Sequence, residues 1–215
     1  MEAERKVVAV VIAHPDDEVL WTGGLLIDHP LWDIFIACLC RKGDRERSER
    51  FSHAMDFLGA KWKMDDMDDN PEQRPLPTKL IQDSILRLLP HKHFDFVITH
   101  NPDGEYTRPR RHEEVANAVI KLWYSGKIQT EELWTFVYED GNRTYFPRAS
   151  AICTYNYWLS PVTWKKKYHL ITEIYGFDKD SWEVLTTPKQ EAFRQLEKSE
   201  AGLELLHLRR KEYNR

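Results

Sequence analysis

A chain of 215 residues is long enough to bury one substantial core without staples, and a single domain over residues 1–215 is expected. Its formal net charge of −4, with 31% charged and 41% hydrophobic residues, is that of an ordinary soluble globular protein and gives no reason to expect nucleic acid as a partner. No apolar window approaches a membrane span, the first apolar run lacks a signal peptide's pattern, and Cys38, Cys40 and Cys153 make no paired framework, so a reduced cytoplasmic setting is expected.

The β-branched run Lys6 to Ala13 reads as a strand buried on both faces, the kind found in parallel sheets. It ends abruptly at His14, Pro15, Asp16, Asp17 and Glu18. A helix is expected from Asp16 or Asp17 to Asp28, broken or tightly packed at Gly23 and Gly24. Leu31 to Cys40 reads as a second buried strand, followed by a charged loop and a helix that Ser48 would cap, with Phe51, Met55 and Leu58 at helical spacing until Gly59 stops it. A short strand near Trp62 leads into DDMDDNPEQRPLP, an acidic, proline-rich loop. Thr78 opens a third helix, and Phe94 to Thr99 is the next strand. A polar loop runs from His100 to Arg111, Glu113 to Tyr124 has helical periodicity, and ELWTFVYE supplies one more strand. Thr187, Pro188 and Gln190 form a box-like start for a tail helix running toward Leu208. Aromatic residues make up 12% of the chain, and core packing is the expected role of Tyr155, Tyr157, Trp158 and Trp164.

Strands alternating with helices predict right-handed βαβ units and a three-layer α/β/α, Rossmann-like sandwich with a mostly parallel sheet. Ligands of such sheets sit outside the carboxyl ends of the strands where the strand order reverses. For an order 3-2-1-4-5 the reversal falls between the first strand and Phe94–Thr99, so the loop His100 to Arg111 would face His14 to Glu18. Spaced three apart at a helix start, His14 and Asp17 share one side and can hold two corners of a metal. Asp16 points elsewhere, free to take a proton from metal-bound water. His100 or His112 would complete the ligands. The competing reading is a solvated turn in which Asp16 or Asp17 caps the helix. Against it, carboxylates packed at the end of a buried strand repel one another unless something positive sits between them.

Ala13 to Glu18, AHPDDE, resembles the signature of the PIG-L/LmbE-like family of zinc-dependent N-acetylglucosaminyl deacetylases. GDRERSERFSHAMDFLGA and GEYTRPRRHEEV are similar, more loosely, to later family segments, and the likeness fades beyond Tyr124. It implies a hydrolase of amide bonds in which His14, Asp17 and His112 hold zinc, His112 being matched through its spacing to Val115. It further implies Asp16 as general base and Arg47 in contact with substrate. The first His of the family's second motif falls on Pro109 or, with a one-residue shift, Arg108; the later C-terminal His has no evident counterpart, and Tyr175 stands near its place. Tyr106 is then the candidate proton donor, with His100 the alternative if it swings into the crevice; Arg108, or else Arg110 or Arg111, would stabilise the oxyanion, and His100, Arg110 and Arg111 are candidate substrate contacts. The RPRR run hints at an anionic N-acylated sugar or glycoconjugate. Ferrous iron or another divalent transition metal suits the same ligands as zinc. Two further readings stand beside the hydrolase: a metal-binding, non-hydrolytic or regulatory homologue, and a non-haem metal enzyme. The family also implies a homo-oligomer.

Overall fold

The structure, a computed structural model, describes residues 5–107 and 109–213, with side chains as far as His207. Five strands alternate with four helices: β1 (Val7–Ile12), α1 (Asp17–Asp28), β2 (Asp33–Cys40), α2 (Arg45–Leu58), β3 (Lys61–Met67), α3 (Thr78–Leu88), β4 (Phe94–Thr99), α4 (Arg110–Tyr124) and β5 (Thr130–Phe136). All five strands pair in parallel, and the order β3-β2-β1-β4-β5 reverses between β1 and β4 as expected. Alternation along β1 supplies both faces of the sheet. Val8, Val10 and Ile12 pack with Trp21, Phe51 and Met55 of α1 and α2. Ala9, Val11 and Ala13 pack with Ile81, Ile85, Val115 and Val119 of α3 and α4. The result is the three-layer α/β/α sandwich.

After β5 the chain makes a two-stranded ribbon, β6 (Tyr138–Glu139) with β7 (Arg148–Ala149), and then β8 (Tyr155–Trp158). Helix α5 (Pro161–His169) runs on into a π-helical turn, Leu170–Ile174, followed by α6 (Trp182–Thr186), β9 (Gln190–Leu196) and α7 (Ser199–Tyr213). Strand β9 joins the sheet antiparallel to β5 and β8. The tail therefore departs from the helix expected after Thr187. Glu191, Ala192 and Phe193 are buried in β9, Glu191 accepts from the Lys167 ammonium and from the Gly24 and Leu25 amides, and sheet pairing overrides the local capping signal.

Three smaller departures have equally local causes. Helix α2 starts at Arg45 because the Asp44 carboxylate accepts from the Arg47 amide; Ser48 lies inside the helix and donates to the Arg45 carbonyl. Strand β3 extends to Met67, into the acidic run taken for loop. Of the four aromatic residues expected in the core, Trp158 is 69% exposed on the edge strand, whereas Tyr155 packs against Trp134 and Phe193. The Gly23–Gly24 pair does not break α1. At Gly24 a Cβ would come within 2.1 Å of Leu159, so the glycine lets the β8–α5 connection lie directly on the helix.

Candidate metal centre

The parallel register places the ends of β1 and β4 side by side, and His14, Asp17, His100 and His112 converge there. His14 leaves β1, Asp17 opens α1, and His112 lies in the first turn of α4, which begins at Arg110 rather than Glu113. The His14 Nδ1 and His112 Nε2 atoms face each other at 3.1 Å; Asp17 brings Oδ2 to 3.4 Å from the first and Oδ1 to 3.5 Å from the second. A tetrahedral ion with bonds near 2.05 Å sets its ligand atoms about 3.3 Å apart, so this triangle has the size such an ion requires.

The outer ring nitrogens have their own carboxylates. His14 Nε2 lies 3.0 Å from Asp69 Oδ1, and His112 Nδ1 lies 2.5 Å from Glu105 Oε2. Each imidazole can donate its proton outward and turn a lone pair inward, the arrangement that orients histidine ligands in metal sites. Asp69 is held by Gln73 and Arg41, and Glu105 accepts the Asn101 amide at 2.9 Å. In the metal-free protein burial works against a charge on His14, but hydrogen bonds to Asp17 and Asp69 outweigh it and raise the ring to about 10, so that a proton stands where a cation would. Burial, helped by His100, lowers His112, keeping it neutral. Burial opposes the charge on Asp17, yet its carboxyl is held well below the usual carboxylate range, with the protonated His14 ring hydrogen-bonded to it. These donors fit a divalent cation.

Asp16 stands at the N-cap position of α1 without capping it through its side chain. Its side chain makes no capping hydrogen bond; Oδ2 instead accepts from Arg47 Nη2 at 3.2 Å. The backbone at Asp16 has φ 119°, outside the comfortable range for an L-residue, and its amide donates to Glu18 Oε2 at 3.2 Å. Burial and the Asp17 charge push the Asp16 carboxyl well up, against the pull of Arg47. Glu18, fully buried, also accepts from the Tyr175 hydroxyl, which assigns Tyr175 to the support of this loop.

The other residues singled out from the sequence divide. Tyr106 packs edge-on against His112, ring centres 5.3 Å apart, and burial keeps its phenol protonated. It also lines a cleft of about 650 Å³ with Thr107, Asp140, Arg143, Phe146 and Trp182. His100 lies beneath the centre, fully buried and stacked on His112 at 3.9 Å. Burial disfavours its charge, while Glu105 and Asp17 draw it up to about 9; the Ala13 amide nevertheless donates to its Nε2 at 2.9 Å. That strand-fixed donor leaves Nε2 no proton, so the neutral Nδ1–H form, bonded to Glu105 at 3.1 Å, satisfies both contacts. Arg111 is buried and fully committed, donating to the Asp68 and Arg74 carbonyls and to Glu114, which pins the loop carrying Asp69. Arg110 is exposed at the start of α4, and Arg108 lies outside the described residues. Pro109 packs against Gly104, whose φ of 75° permits the tight turn. Sequence reasoning passed over Glu105 and Asp69. An acid between the strand end and the RPRR run was the available signal for Glu105; Asp69 had none beyond its acidic run.

No protein-family model matches the chain. It is 28% identical over 144 residues to uncharacterized protein L374 of Acanthamoeba polyphaga mimivirus, the match taking in 60% of this chain and 61% of that curated relative. Among solved structures it resembles N,N'-diacetylchitobiose deacetylase of Pyrococcus horikoshii, with 16% identity, TM-score 0.65, and coverage of 92% of this chain and 85% of that one. The zinc-inhibited form of teicoplanin deacetylase Orf2 follows at 11% identity and TM-score 0.59, over 79% and 84% of the two chains. The chain has the fold of these deacetylases. A 4-carboxy-2-hydroxymuconate hydratase, GalB of Pseudomonas putida KT2440, shares the deacetylase fold with it at 18% identity and TM-score 0.60, over 89% and 96%. The architecture implied by AHPDDE is thus present, and two chemistries are named on it. Among the described residues no helix is long and apolar enough to cross a membrane.

Proposed function

We propose that the protein is a divalent-metal-dependent hydrolase that removes an acyl group, acetyl in the first instance, from the amide nitrogen of an N-acylated sugar or related small molecule. The observation that carries this reading is the His14–Asp17–His112 triangle with a buried Asp16 beside it, oriented by Arg47 instead of being spent on capping α1. A bound zinc, or another divalent ion, supplies a Lewis acid for the amide carbonyl and acidifies water. His14, Asp17 and His112 would hold it, with Asp69 and Glu105 fixing the tautomers of the two rings. Asp16 takes the proton of the attacking water and passes it toward the leaving nitrogen. Arg47 keeps that carboxylate aimed and available. Tyr106, protonated and facing the cleft, donates to the oxygen or nitrogen on which charge develops, with Arg108 assisting at the oxyanion. The cleft between Tyr106, Phe146 and Trp182 receives the scaffold, and Arg110 meets an anionic group on it. Three free thiols accord with a reducing compartment, and self-association into a symmetric oligomer belongs to the same reading.

The test is acetate release from neutral and phosphorylated N-acetylglucosaminides by protein carrying one zinc per chain. Asp16→Asn should keep the zinc and lose turnover by about 10²- to 10⁴-fold. Zinc-loaded protein that releases no acetate from either substrate overturns the hydrolase. Equal turnover of both substrates, unchanged in Arg110→Ala, removes the anionic group from the proposal.

The fold shared with the hydratase favours a second reading, in which the same activated water adds to a carbon–carbon double bond of a carboxylated small molecule. Loss of the absorbance of a conjugated unsaturated acid, without acetate release, would select it.

A further inference from the structure

Strand β2 changes face at its last residue. Ile34, Ile36 and Cys38 face the α1–α2 layer, and Phe35, Ala37 and Leu39 face the α3–α4 layer. Simple alternation would return Cys40 to the first layer. The β2–β3 register shifts between Cys38 and Cys40, and Cys40 packs with the α3–α4 layer instead. Such an irregularity at a strand end re-aims a side chain. Its amide donates to the Ala13 carbonyl at 3.0 Å, tying the turned residue to the position just before His14. A sulfur, an imidazole nitrogen and a carboxylate oxygen, from Cys40, His14 and Asp69, thereby come within 4.8 Å of one another.

We propose that Cys40, Asp69 and His14 form a second metal site, selective for a thiophilic divalent ion such as cadmium or zinc supplied in excess. The donor set of one sulfur, one nitrogen and one oxygen suits such ions and discriminates against magnesium or calcium. The proposal shares only His14 with the centre assigned above. Serving that centre, His14 turns Nδ1 inward and keeps its proton on Nε2, 3.0 Å from Asp69. In the outer site Nε2 becomes the ligand and the ring proton moves to Nδ1, which Asp17 Oδ2 faces at 3.4 Å. The Cys40 thiol proton leaves to solvent as the sulfur–metal bond forms. A neutral imidazole serves one site at a time, so an ion in the outer site takes a ligand from the inner one and stops turnover there.

The experiment follows the thiolate-to-cadmium charge-transfer absorbance while metal-free protein is titrated with cadmium. Wild type and Cys153→Ser should each develop the band of a single thiolate at one equivalent. Cys40→Ser and Cys40→Ala, verified as folded by circular dichroism, should lack it, and Asp69→Asn should raise the cadmium Kd about tenfold or more. A band that persists in both Cys40 variants, or no band in wild type at one equivalent, overturns the site. This readout needs no substrate, so failure of the hydrolase reading leaves it intact. With the zinc-loaded enzyme, excess zinc should inhibit wild type and not Cys40→Ser; equal inhibition of the two overturns the sharing of His14.

Discussion

Replacing Glu105 by Gln removes one charge and almost no volume, yet three donors depend on that carboxylate. His112 Nδ1 lies 2.5 Å from Oε2 and His100 Nδ1 3.1 Å from the same oxygen, while the Asn101 amide donates to Oε1 at 2.9 Å. Gln offers one carbonyl oxygen, and its NH₂ would point at a donor, so at least one buried N–H loses its acceptor at about 1–3 kcal/mol. For a chain of this length that is a fall in Tm of about 2–12 °C. His112 also loses the partner that fixes its tautomer, and weakening an outer carboxylate of this kind costs about 10- to 100-fold in metal affinity. Glu105→Gln should therefore bind zinc about 10- to 100-fold more weakly in competition with a chromophoric chelator, and melt lower by calorimetry in the metal-free state. Unchanged zinc affinity together with unchanged Tm would refute the claim that Glu105 orients the centre.

Three other outcomes follow from the same structure. Burial opposes charge on Glu105, but His100 and His112 hold it at about 2 against an ordinary 4.5. Its contribution to stability is thus full above pH 4.5 and lost as pH falls toward 2, so urea unfolding of the metal-free protein should show an acid limb that shrinks in Glu105→Gln. Because a proton occupies His14 up to about pH 10, zinc affinity should climb with pH below that value, with proton release visible by calorimetry in buffers of different ionisation enthalpy. Glu191→Ala strands the buried Lys167 ammonium and two α1 amides; a loss of about 3–5 kcal/mol should appear as a Tm lower by roughly 6–20 °C, partly restored by adding Lys167→Met.

Most of the sheet could be read from the chain because buried parallel strands are continuous apolar runs, and the runs ending at Ala13, Cys40 and Thr99 are unmistakable. The inner half of the centre was equally legible: His14, Asp16 and Asp17 follow one such run, and the loop facing them was placed by strand order alone. Arg111 was misleading for a physical reason. A sequence cannot distinguish a guanidinium aimed at an anion from one buried against main-chain carbonyls, and this one is 2% exposed. Asp69 and Glu105 escaped notice because their roles lie on the far side of the rings they orient. Strand β9 was hidden by a persuasive cap, since its partners β5 and β8 are distant in the chain and Glu191 looks polar until Lys167 is beside it.

The clamp that Arg111 places on the loop from Asp68 to Arg74 has a kinetic consequence. That segment has little apolar anchorage: Asn70, Pro71, Glu72, Arg74 and Pro75 are exposed, and Arg111 binds both of its ends. The same turn of α4 carries His112. Opening of the loop would release Asp69 from His14 and disturb His112, next in sequence to Arg111, so loop order and the retention of a bound metal would be coupled. A bound ion would then be guarded against chelators by the rate at which this surface segment opens, and the loop would be cut by protease only as fast as the ion lets go.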